Sequence, residues 1–371
     1  MTPRSQGAIA TVAVAAGLLL AAAAHQVIAT ELHRQAWPAW TAADTRHDDA
    51  VAAHGEAVAL GESLVGRTEA LQAVLTADLV RDEDRAELAE ALDGLRSAIE
   101  ADDGGAPLGI VDLTDPGEFA PSWDRYADLW EISELAPERL GAAARVESAT
   151  VTVQEARAEV DAAAEAVAAA AEEIARAELA AHPAATFRSR QALEGLLDGT
   201  AGGASATGAD GFTALATAVA EVRASHEAEV ARAAQFPVRA EIEAFARSIA
   251  NGVELDFAWA FEVAGMTSDV WYAGTAEFEI DGPEWGLITL TESIERGWGL
   301  DPNAEAVVVH EVGHTQVVRD SCRVLFDGFG GDHETWATAW AISMGYDLPG
   351  AGIEAYGRPS EAQVAAAAGC R

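Results

Sequence analysis

The chain of 371 residues contains no lysine, so its 23 basic residues are all arginine, against 61 acidic residues and a formal net charge of −38. A surface this negative repels phosphate, so we expect the protein to bind no nucleic acid. It equally disfavours docking on anionic lipid through a basic patch. Aromatic residues make up only 6% of the chain, and much of its 50% hydrophobic content is alanine. This composition favours long helices over a wide core, because alanine has high helix propensity and little side chain to bury.

Cysteine is nearly absent, since the chain contains only Cys322 and Cys370, both near the C-terminus. Two thiols are too few for a disulfide scaffold, and they can stay free, bind a metal or pair with each other. The cellular compartment determines whether the two cysteines pair, because disulfides persist outside the cytosol and are rare inside it.

Residues 1–40 are predicted to form an N-terminal membrane anchor or signal segment. Arg4 precedes an uncharged and largely apolar run from Ile9 to Ala29. A helix of this length extends about 35 Å, enough to cross the hydrocarbon core of a bilayer. Trp37 and Trp40 would then lie near the outer interface, where indole rings are favoured.

The same segment also fits a cleaved signal peptide, because Ala22, Ala23 and Ala24 supply a small-residue cleavage site. We therefore expect a single-pass protein of the cell membrane with its C-terminal part extracytoplasmic, or a protein secreted after cleavage. In both cases the remaining chain lies outside the cytosol, and Cys322 and Cys370 are expected to form a disulfide bond.

Residues 41–251 are predicted to form a long α-helical stalk. Its strongest pattern is a heptad seam, in which one apolar position recurs every seven residues and alanine follows three places later. The first position holds Val146, Val153, Val160, Val167 and Ile174, and the second holds Ala149, Ala156, Ala163, Ala170 and Ala177. Alanine lets helix backbones approach closely, so the seam predicts a coiled-coil-like, antiparallel hairpin with the helix over 51–99.

Glycine and proline predict where the stalk is interrupted. Residues 102–137 contain Gly-Gly and several prolines and are expected to form a connector with short structure at most. Residues 201–211 are predicted to be a flexible loop. Pro237 is expected to break or kink the helix that follows. No cluster of catalytic side chains occurs in the stalk, which is interpreted as a spacer, a scaffold or the surface for a protein partner.

The pattern changes in 252–371, where shorter segments include more aromatic residues. Alternating side chains predict strands within 271–280 and 285–290. A helix is expected to begin near Asp301, which can cap it, with Pro302 suited to the first helical position. That helix continues through Val307, Val308 and Val309 into residues 310–314, which include two histidines and a glutamate.

The sequence His310-Glu311-Val312-Gly313-His314 is an HExxH motif. On a helix the two histidines are one turn apart and project from one face, so both imidazoles can share a Zn²⁺ ion. Glu311 is then placed to act as a general base on a water molecule. Zinc lowers the pKa of such a water molecule to near neutral pH, so that hydroxide becomes available. A structural zinc site, or a histidine pair without metal, are the alternatives.

A catalytic zinc normally takes three protein ligands, and the next plausible donors are Asp332, His333 and Glu334, just ahead of an apparent helix. The two histidines of the motif followed by nineteen residues and Glu334 resemble the gluzincin branch of the HExxH metallopeptidases, the thermolysin-like zincins. The resemblance is limited to about 252–371. It implies Glu334 as the third ligand, carried by a second helix, with His333 as the alternative.

The resemblance also implies supporting residues around the metal. The family commonly has Asp four residues after the ligand Glu, where this chain has Thr338, which can accept a hydrogen bond from a ligand imidazole. The family favours an apolar residue where this chain has Gln316. Related zincins use Tyr or His to stabilise the oxyanion, so Tyr346 or Tyr356 can serve here, or else pack in the core.

Together these patterns predict an α+β protein, in which a membrane-anchored helical stalk precedes a small zincin domain with a short β-sheet and two metal-binding helices. The expected function is extracytoplasmic, zinc-dependent hydrolysis of peptide bonds in a peptide or protein substrate. The alternative is an envelope scaffold whose coiled-coil stalk binds a partner and whose zincin domain is inactive or structural. Residues 252–371 carry 20 acidic residues and 5 arginines, which favours neutral or basic substrates.

Overall fold

The computed structural model of the chain describes residues 3–101, 113–199 and 207–371. It is mostly helical, with a long N-terminal apolar helix and a small sheet. The helices in these ranges are α1 (Pro3–Val74), α2 (Asp82–Glu100), α3 (Ser122–Ala181), α4 (Phe187–Leu197), α5 (Ala209–Gln235), α6 (Pro237–Ile249), α7 (Glu292–Gly297), α8 (Pro302–Thr315), α9 (Asp320–Phe326), α10 (His333–Ser343), α11 (Ile353–Tyr356) and α12 (Glu361–Ala367). The strands are β1 (Glu254–Ala260), β2 (Glu262–Val263), β3 (Met266–Thr267), β4 (Gly274–Phe278) and β5 (Trp285–Thr291).

The chain divides into two compact units. The first contains α1, α2 and α3 as far as Glu172. The second contains the end of α3, α4, most of α5 and everything that follows. Sequence patterns placed the last boundary at 251/252, whereas the second unit includes α6, whose Ile242 and Ala246 share a core with α8.

The first unit is a bundle of three helices. The valines of the predicted seam are buried as expected, and Val153 and Val160 pack against Ala57, Leu64 and Leu95 of α1 and α2. The alanine positions of the seam differ from the prediction. Ala170 is buried as predicted, but Ala149, Ala156 and Ala163 are half-buried and Ala177 is exposed, whereas Ala164, Ala171 and Ala175 are buried. The buried alanines Ala164, Ala168, Ala171 and Ala175 follow one another at steps of four, three and four, so they form a second buried row that differs from the predicted one.

The helix predicted over 51–99 is two helices, the end of α1 and α2, so the predicted antiparallel pairing with α3 holds for α2 and is wrong for α1. Gln26 Nε2 donates to Ala120 O at 2.8 Å, and further along both helices Arg46 pairs with Glu147 at 2.8 Å. Because the residue numbers rise together, α3 runs parallel to α1. The antiparallel neighbour of α1 is α2, since Gly61 lies against Ile99 while Arg96 pairs with Glu69 at 2.5 Å. A heptad pattern specifies a buried face but not the direction of the helix that covers it.

The predicted connector over 102–137 is wrong from Ser122 onward, because α3 begins there and includes Pro137. Proline removes one helical hydrogen bond, but the buried residues on both sides, Ile132 and Ala142, belong to the packed face of a long helix. Residues 102–112 lie outside the described part. The predicted loop at 201–211 ends earlier than expected, since α5 begins at Ala209, and residues 200–206 are likewise not described. The break at Pro237 is confirmed, since it is the first residue of α6.

The N-terminal part of α1 is long and apolar enough to cross a membrane, as a signal sequence also would be. The two tryptophans predicted at its outer interface pack against other side chains. Trp40 is 3% exposed and packs beneath the Arg139 guanidinium of α3, while Trp37 is half-buried and stacks on His33. Both rings contact neighbouring side chains of the helical bundle, and their place near an outer interface stays a prediction.

Replacing Val160 by Asp is expected to destabilise the bundle by at least about 3 kcal/mol. The substitution removes a fully buried apolar side chain and places a carboxylate among Ala57, Leu64 and Leu95. Val151→Asp is the matched control, because Val151 lies on the same helix and is 50% exposed. Urea unfolding followed by circular dichroism measures the difference. Equal midpoints for the two variants would contradict this packing.

The second unit contains a three-stranded sheet in the order β1-β5-β4, with β1 parallel and β4 antiparallel to β5. Strands β4 and β5 confirm the two predicted strands, with shifted ends. Strand β1 was not predicted, although Leu255, Phe257 and Trp259 alternate with more polar residues in a pattern typical of a strand. Strands β2 and β3 form a short hairpin.

Helix α8 occupies the centre of this unit and packs against the sheet, α6, α7 and α10. Its start is as predicted, since the Asp301 carboxylate accepts a hydrogen bond from the backbone N–H of Asn303 at 2.9 Å and Pro302 follows. Val308, Val309 and Val312 are fully buried. A helix buried on all sides holds its polar side chains at fixed positions.

The predicted disulfide is present, since Cys322 and Cys370 are bonded. It joins α9 to the C-terminal turn, which packs against α10. The segment between α8 and α10 is thereby linked covalently to the end of the chain.

Candidate metal centre

His310 and His314 lie one turn apart on α8, and their imidazoles meet. The two Nε2 atoms are 3.1 Å apart, and the ring planes are nearly perpendicular. Both residues are buried, at 5% and 8% exposure. The motif therefore directs two nitrogen atoms from one helical face to a common point.

Glu334 reaches the same point from the first turn of α10. Its Oε2 atom is 3.1 Å from His310 Nε2 and 3.3 Å from His314 Nε2. The Asp332 side chain caps α10 by accepting from the N–H of Thr335 at 3.0 Å, which fixes the turn that carries Glu334.

Close contact between α8 and α10 sets the separation of these ligands. A Cβ atom added at Gly313 would lie 3.1 Å from Ala337 Cα, so only glycine allows the two backbones this approach without adjustment. Trp336 Nε1 donates to Gly313 O at 2.9 Å and fixes the register of the pair.

The three donor atoms lie close enough together to hold a metal ion. With Zn–N and Zn–O distances of about 2.0–2.2 Å, two ligands of a tetrahedral site lie about 3.3–3.5 Å apart. The observed separations of 3.1–3.3 Å approach this spacing. Two imidazoles and one carboxylate are also a usual donor set for catalytic zinc, with the fourth position left open.

The hydrogen bond of His310 supports a cation at this point. His310 Nδ1 lies 3.0 Å from Ala351 O, which can only accept, so Nδ1 carries the proton. In the neutral ring, Nε2 then presents a lone pair to the Glu334 carboxylate and to His314. Convergent lone pairs repel one another unless a proton or a metal ion lies between them.

The charges within the triad are strongly coupled. Burial raises the pKa of the Glu334 carboxyl, but its close polar contacts with His310 and His314 outweigh burial and bring the pKa well below its usual range. Burial lowers the pKa of His314, and the hydrogen bond to Glu334 with the charge of Glu311 outweighs it, so the net shift is upward. The centre thus favours a positive charge beside the Glu334 carboxylate.

Glu311 lies beside the triad without belonging to it. The side chain is 5% exposed, and its Oε2 atom has no hydrogen-bond partner among the described residues. Burial raises the pKa of the Glu311 carboxyl, while the charges of His310 and His314 lower it in part. A buried carboxylate with an unpaired oxygen and a raised pKa has the properties of a general base.

Gly274, the first residue of β4, lies directly against Glu311. A Cβ atom at this position would lie 2.5 Å from Glu311 Cγ and 2.8 Å from both Cδ and Oε1. A side chain here would displace the Glu311 carboxylate. Sequence reasoning did not identify Gly274, because only the pairing of β4 with β5 brings it to α8.

For a catalytic metal centre in which Glu311 is the base, Gly274→Ala is expected to lower turnover by about ten- to a hundredfold without loss of metal, because it displaces Glu311 and no ligand. Gly328→Ala is the control, since a Cβ atom at Gly328 meets nothing within 4 Å. Turnover and bound metal should be measured on both variants. Unchanged turnover in Gly274→Ala would show that the position of Glu311 is not critical.

The other predicted residues take different places. Thr338 is fully buried, but its Oγ1 has no hydrogen-bond partner in the described chain, so the expectation that it accepts from an imidazole is corrected. The carbonyl of Ala351 takes that role. His333 points away from the triad and packs its ring against Phe326 and Phe278, with a pKa lowered mainly by burial.

The two candidate tyrosines lie at different distances from the centre. The Tyr356 ring stacks on His310 with an interplanar angle of 8°, and its pKa is raised by burial and then by Glu334 and Glu311. Tyr346 instead lies away from the centre, and its hydroxyl donates to Glu305 at 3.4 Å. Tyr356 is therefore beside the centre, and Tyr346 packs against the core.

Sequence reasoning also missed the turn that holds His310. Gly352 has a φ of +95°, and a Cβ atom there would lie 2.8 Å from His310 Cε1 and collide with Thr338 Oγ1. The glycines of Leu348-Pro349-Gly350-Ala351-Gly352 mark a tight turn, but nothing local connects that turn with α8.

His310 and Glu311 line a cleft of about 590 Å³. Its walls combine the polar groups of the centre with apolar side chains from the β3–β4 segment and from α11. They include Met266, Val270, Trp271, Glu311, Ala355 and Tyr356. A concave apolar cleft that ends at buried titratable groups is the usual form of a small-molecule or peptide site.

Searches for similar proteins do not assign the chain to a family. No protein-family model, no curated protein sequence and no solved structure matches it. The case for function is therefore carried by the geometry of the centre.

Proposed function

We propose that this protein is a zinc-dependent metallopeptidase, attached to a membrane by α1 and acting outside the cytosol. The observation that carries the proposal is the convergence of His310 Nε2, His314 Nε2 and Glu334 Oε2 within 3.3 Å of one another, beside the buried Glu311. The resemblance to gluzincins over 252–371 points to the same four residues.

His310, His314 and Glu334 would hold the ion. Zinc, when bound, polarises a carbonyl group and lowers the pKa of a bound water molecule to near neutral pH. Ala351 O holds the His310 ring in the tautomer that leaves Nε2 free to ligate. Capping of α10 by Asp332 holds Glu334 in place.

Glu311 is the general base of the proposed reaction. Its unpaired oxygen can take a proton from the attacking water and return that proton to the amine that leaves. Burial supports this role, because it raises the pKa of the Glu311 carboxyl toward the pH at which this group must both accept and donate a proton. Gly274 leaves the space that the side chain occupies.

Tyr356 and the cleft would position the substrate. The phenol of Tyr356 lies beside Glu334 and can donate a hydrogen bond to the oxygen of the scissile carbonyl. Val270 and Trp271, which are 69% and 39% exposed, offer an apolar wall for a substrate side chain. Strand β4 lies at one edge of the described sheet, and an extended peptide can pair with such an edge.

The test is cleavage of a peptide library by the full chain in detergent, read by mass spectrometry. We expect cuts at a restricted set of sequences, complete loss of cleavage with a zinc chelator, and recovery when zinc is restored. Chelator-insensitive cleavage would point to a contaminating protease. If a library of all sequence classes stays intact in zinc-loaded protein, the peptidase proposal fails and the envelope scaffold becomes the better interpretation.

A further inference from the structure

A group of exposed aromatic side chains stands out in a chain with so few of them. Phe119, Trp123 and Trp130 are 93%, 72% and 70% exposed, and Tyr126 is 37% exposed. Tyr126 and the two tryptophans follow one another at helical spacing along one face of α3. We call Phe119, Trp123, Tyr126 and Trp130 the aromatic face. Large exposed aromatic groups of this kind mark interaction surfaces.

The aromatic face lies where the apolar segment of α1 ends. Gln26 Nε2 donates to Ala120 O at 2.8 Å. The rings of His25 and Tyr126 lie edge to face, with their centroids 6.3 Å apart. His25 and Gln26 are also the first polar pair after the run of exposed apolar residues in α1, where Leu18, Leu19 and Leu20 are 67–73% exposed. The aromatic face of α3 therefore lies directly beside the end of the apolar segment of α1.

The backbone before α3 is held rigidly enough to present Phe119. The buried guanidinium of Arg125 donates to Gly117 O at 2.6 Å, to Glu118 O at 3.0 Å and to Ala120 O at 3.3 Å. Three carbonyls held by one arginine fix the turn on which the phenyl ring is exposed. An exposed ring on an ordered turn loses little entropy when it is covered.

We propose that the aromatic face docks on the lipid interface of the membrane that α1 enters. Tryptophan and tyrosine are favoured at the boundary between headgroups and acyl chains. Because α3 runs parallel to α1, Trp123 lies near this boundary and Trp130 lies about 10 Å further out, at the headgroup edge. The inference is independent of the proposed peptidase activity.

Charge indicates which lipid the face accepts. Glu118, Asp124 and Glu131 are interspersed with the aromatic residues, and no lysine occurs in the chain. Acidic neighbours repel anionic headgroups, so binding is driven by the rings and favours zwitterionic lipid such as phosphatidylcholine. We expect the interaction to be insensitive to salt.

The experiment reconstitutes the full chain into phosphatidylcholine vesicles with and without brominated acyl chains, which quench tryptophan at short range. We expect quenching in the wild type and loss of most of it in the Trp123→Phe/Trp130→Phe variant. Of the α1 and α3 tryptophans that remain, Trp40 is buried in the bundle and Trp37 is half-buried and stacks on His33.

Ser148→Trp is the matched control, because Ser148 is exposed, lies on the same side of α3 as Trp130 and is about 27 Å further along. It should add fluorescence that brominated lipid does not quench. Equal quenching in the wild type and the double variant would overturn the proposal, as would quenching at Ser148→Trp. So would a change of oligomeric size in the double variant without loss of quenching, which would mean that a second copy covers the face.

Flotation of the vesicles separates this proposal from the anchor and from the enzyme. A chain that floats without quenched tryptophans at 123 and 130 is anchored by α1 but has no lipid-docking face. A chain that does not float refutes both the anchor and the face. Peptide cleavage is measured separately, and its result affects neither conclusion.

Discussion

Glu311→Gln is expected to lower peptide turnover by about 10²–10⁴-fold, the usual contribution of a positioned general base. The amide keeps the size and polarity of the side chain but cannot accept the proton of the attacking water. Because Glu311 Oε2 has no partner in the described structure and is not among the three convergent donors, the loss of its charge leaves the ligand set intact. Bound zinc and melting temperature should therefore match those of the wild type.

Glu354→Gln is the matched control for this substitution. Glu354 lines the same cleft but is exposed, so the same chemical change there removes a charge without removing the base. Initial rates on a cleavable peptide, with zinc measured on the same samples, distinguish the two variants. Wild-type turnover in a zinc-loaded Glu311→Gln protein would exclude Glu311 as the base.

The same variant separates the enzyme from the scaffold in cells. An enzyme loses its cellular function with Glu311→Gln, whereas a scaffold keeps it and loses function with Val160→Asp, which disrupts the helical bundle. If Glu311→Gln is indistinguishable from the wild type both in vitro and in cells, peptide hydrolysis is not the function of this protein.

Local patterns predicted the half of the centre that lies on one helix. Asp301, Pro302 and the two histidines are determined by the capping and periodicity of a single segment, so α8 and its paired imidazoles follow from the sequence. Glu334 required the resemblance to gluzincins, because His333 is a donor of equal chemical merit one residue away. The packing of His333 against Phe278 and Phe326 separates the two, and that packing depends on distant parts of the chain.

Non-local contacts account for what the sequence could not predict. Ala351 O and Gly274 act on His310 and Glu311 through a turn and a strand that are far from α8 in sequence. Gln316, a departure from the family pattern, is fully buried and donates to Ala250 O at 3.2 Å, so it links α8 to the end of α6 in place of an apolar contact. In the stalk, the valine seam predicted a buried face, but the parallel course of α1 and α3 depends on how the chain returns before Ser122.

Removing any one of His310, His314 or Glu334 is expected to abolish stoichiometric zinc binding. Each supplies one of three donors, and a site with two protein ligands holds zinc orders of magnitude more weakly than one with three. Wild-type protein should contain about one zinc per chain, and His310→Ala, His314→Ala and Glu334→Ala should contain almost none after dialysis. Elemental analysis of the purified full chain gives this number directly.

His333→Ala is the control that tests the choice of third ligand, because its ring lies against Phe326 and outside the donor triad. It should keep its zinc. The stability of the second unit provides a further measurement, since a ligand present at a thousand times its Kd stabilises the folded state by about 4 kcal/mol. Added zinc should therefore raise the melting temperature of the wild type and of His333→Ala, but not that of Glu334→Ala. Zinc retained by Glu334→Ala and lost by His333→Ala would mean that the ion is held by a ligand set different from the one these distances indicate.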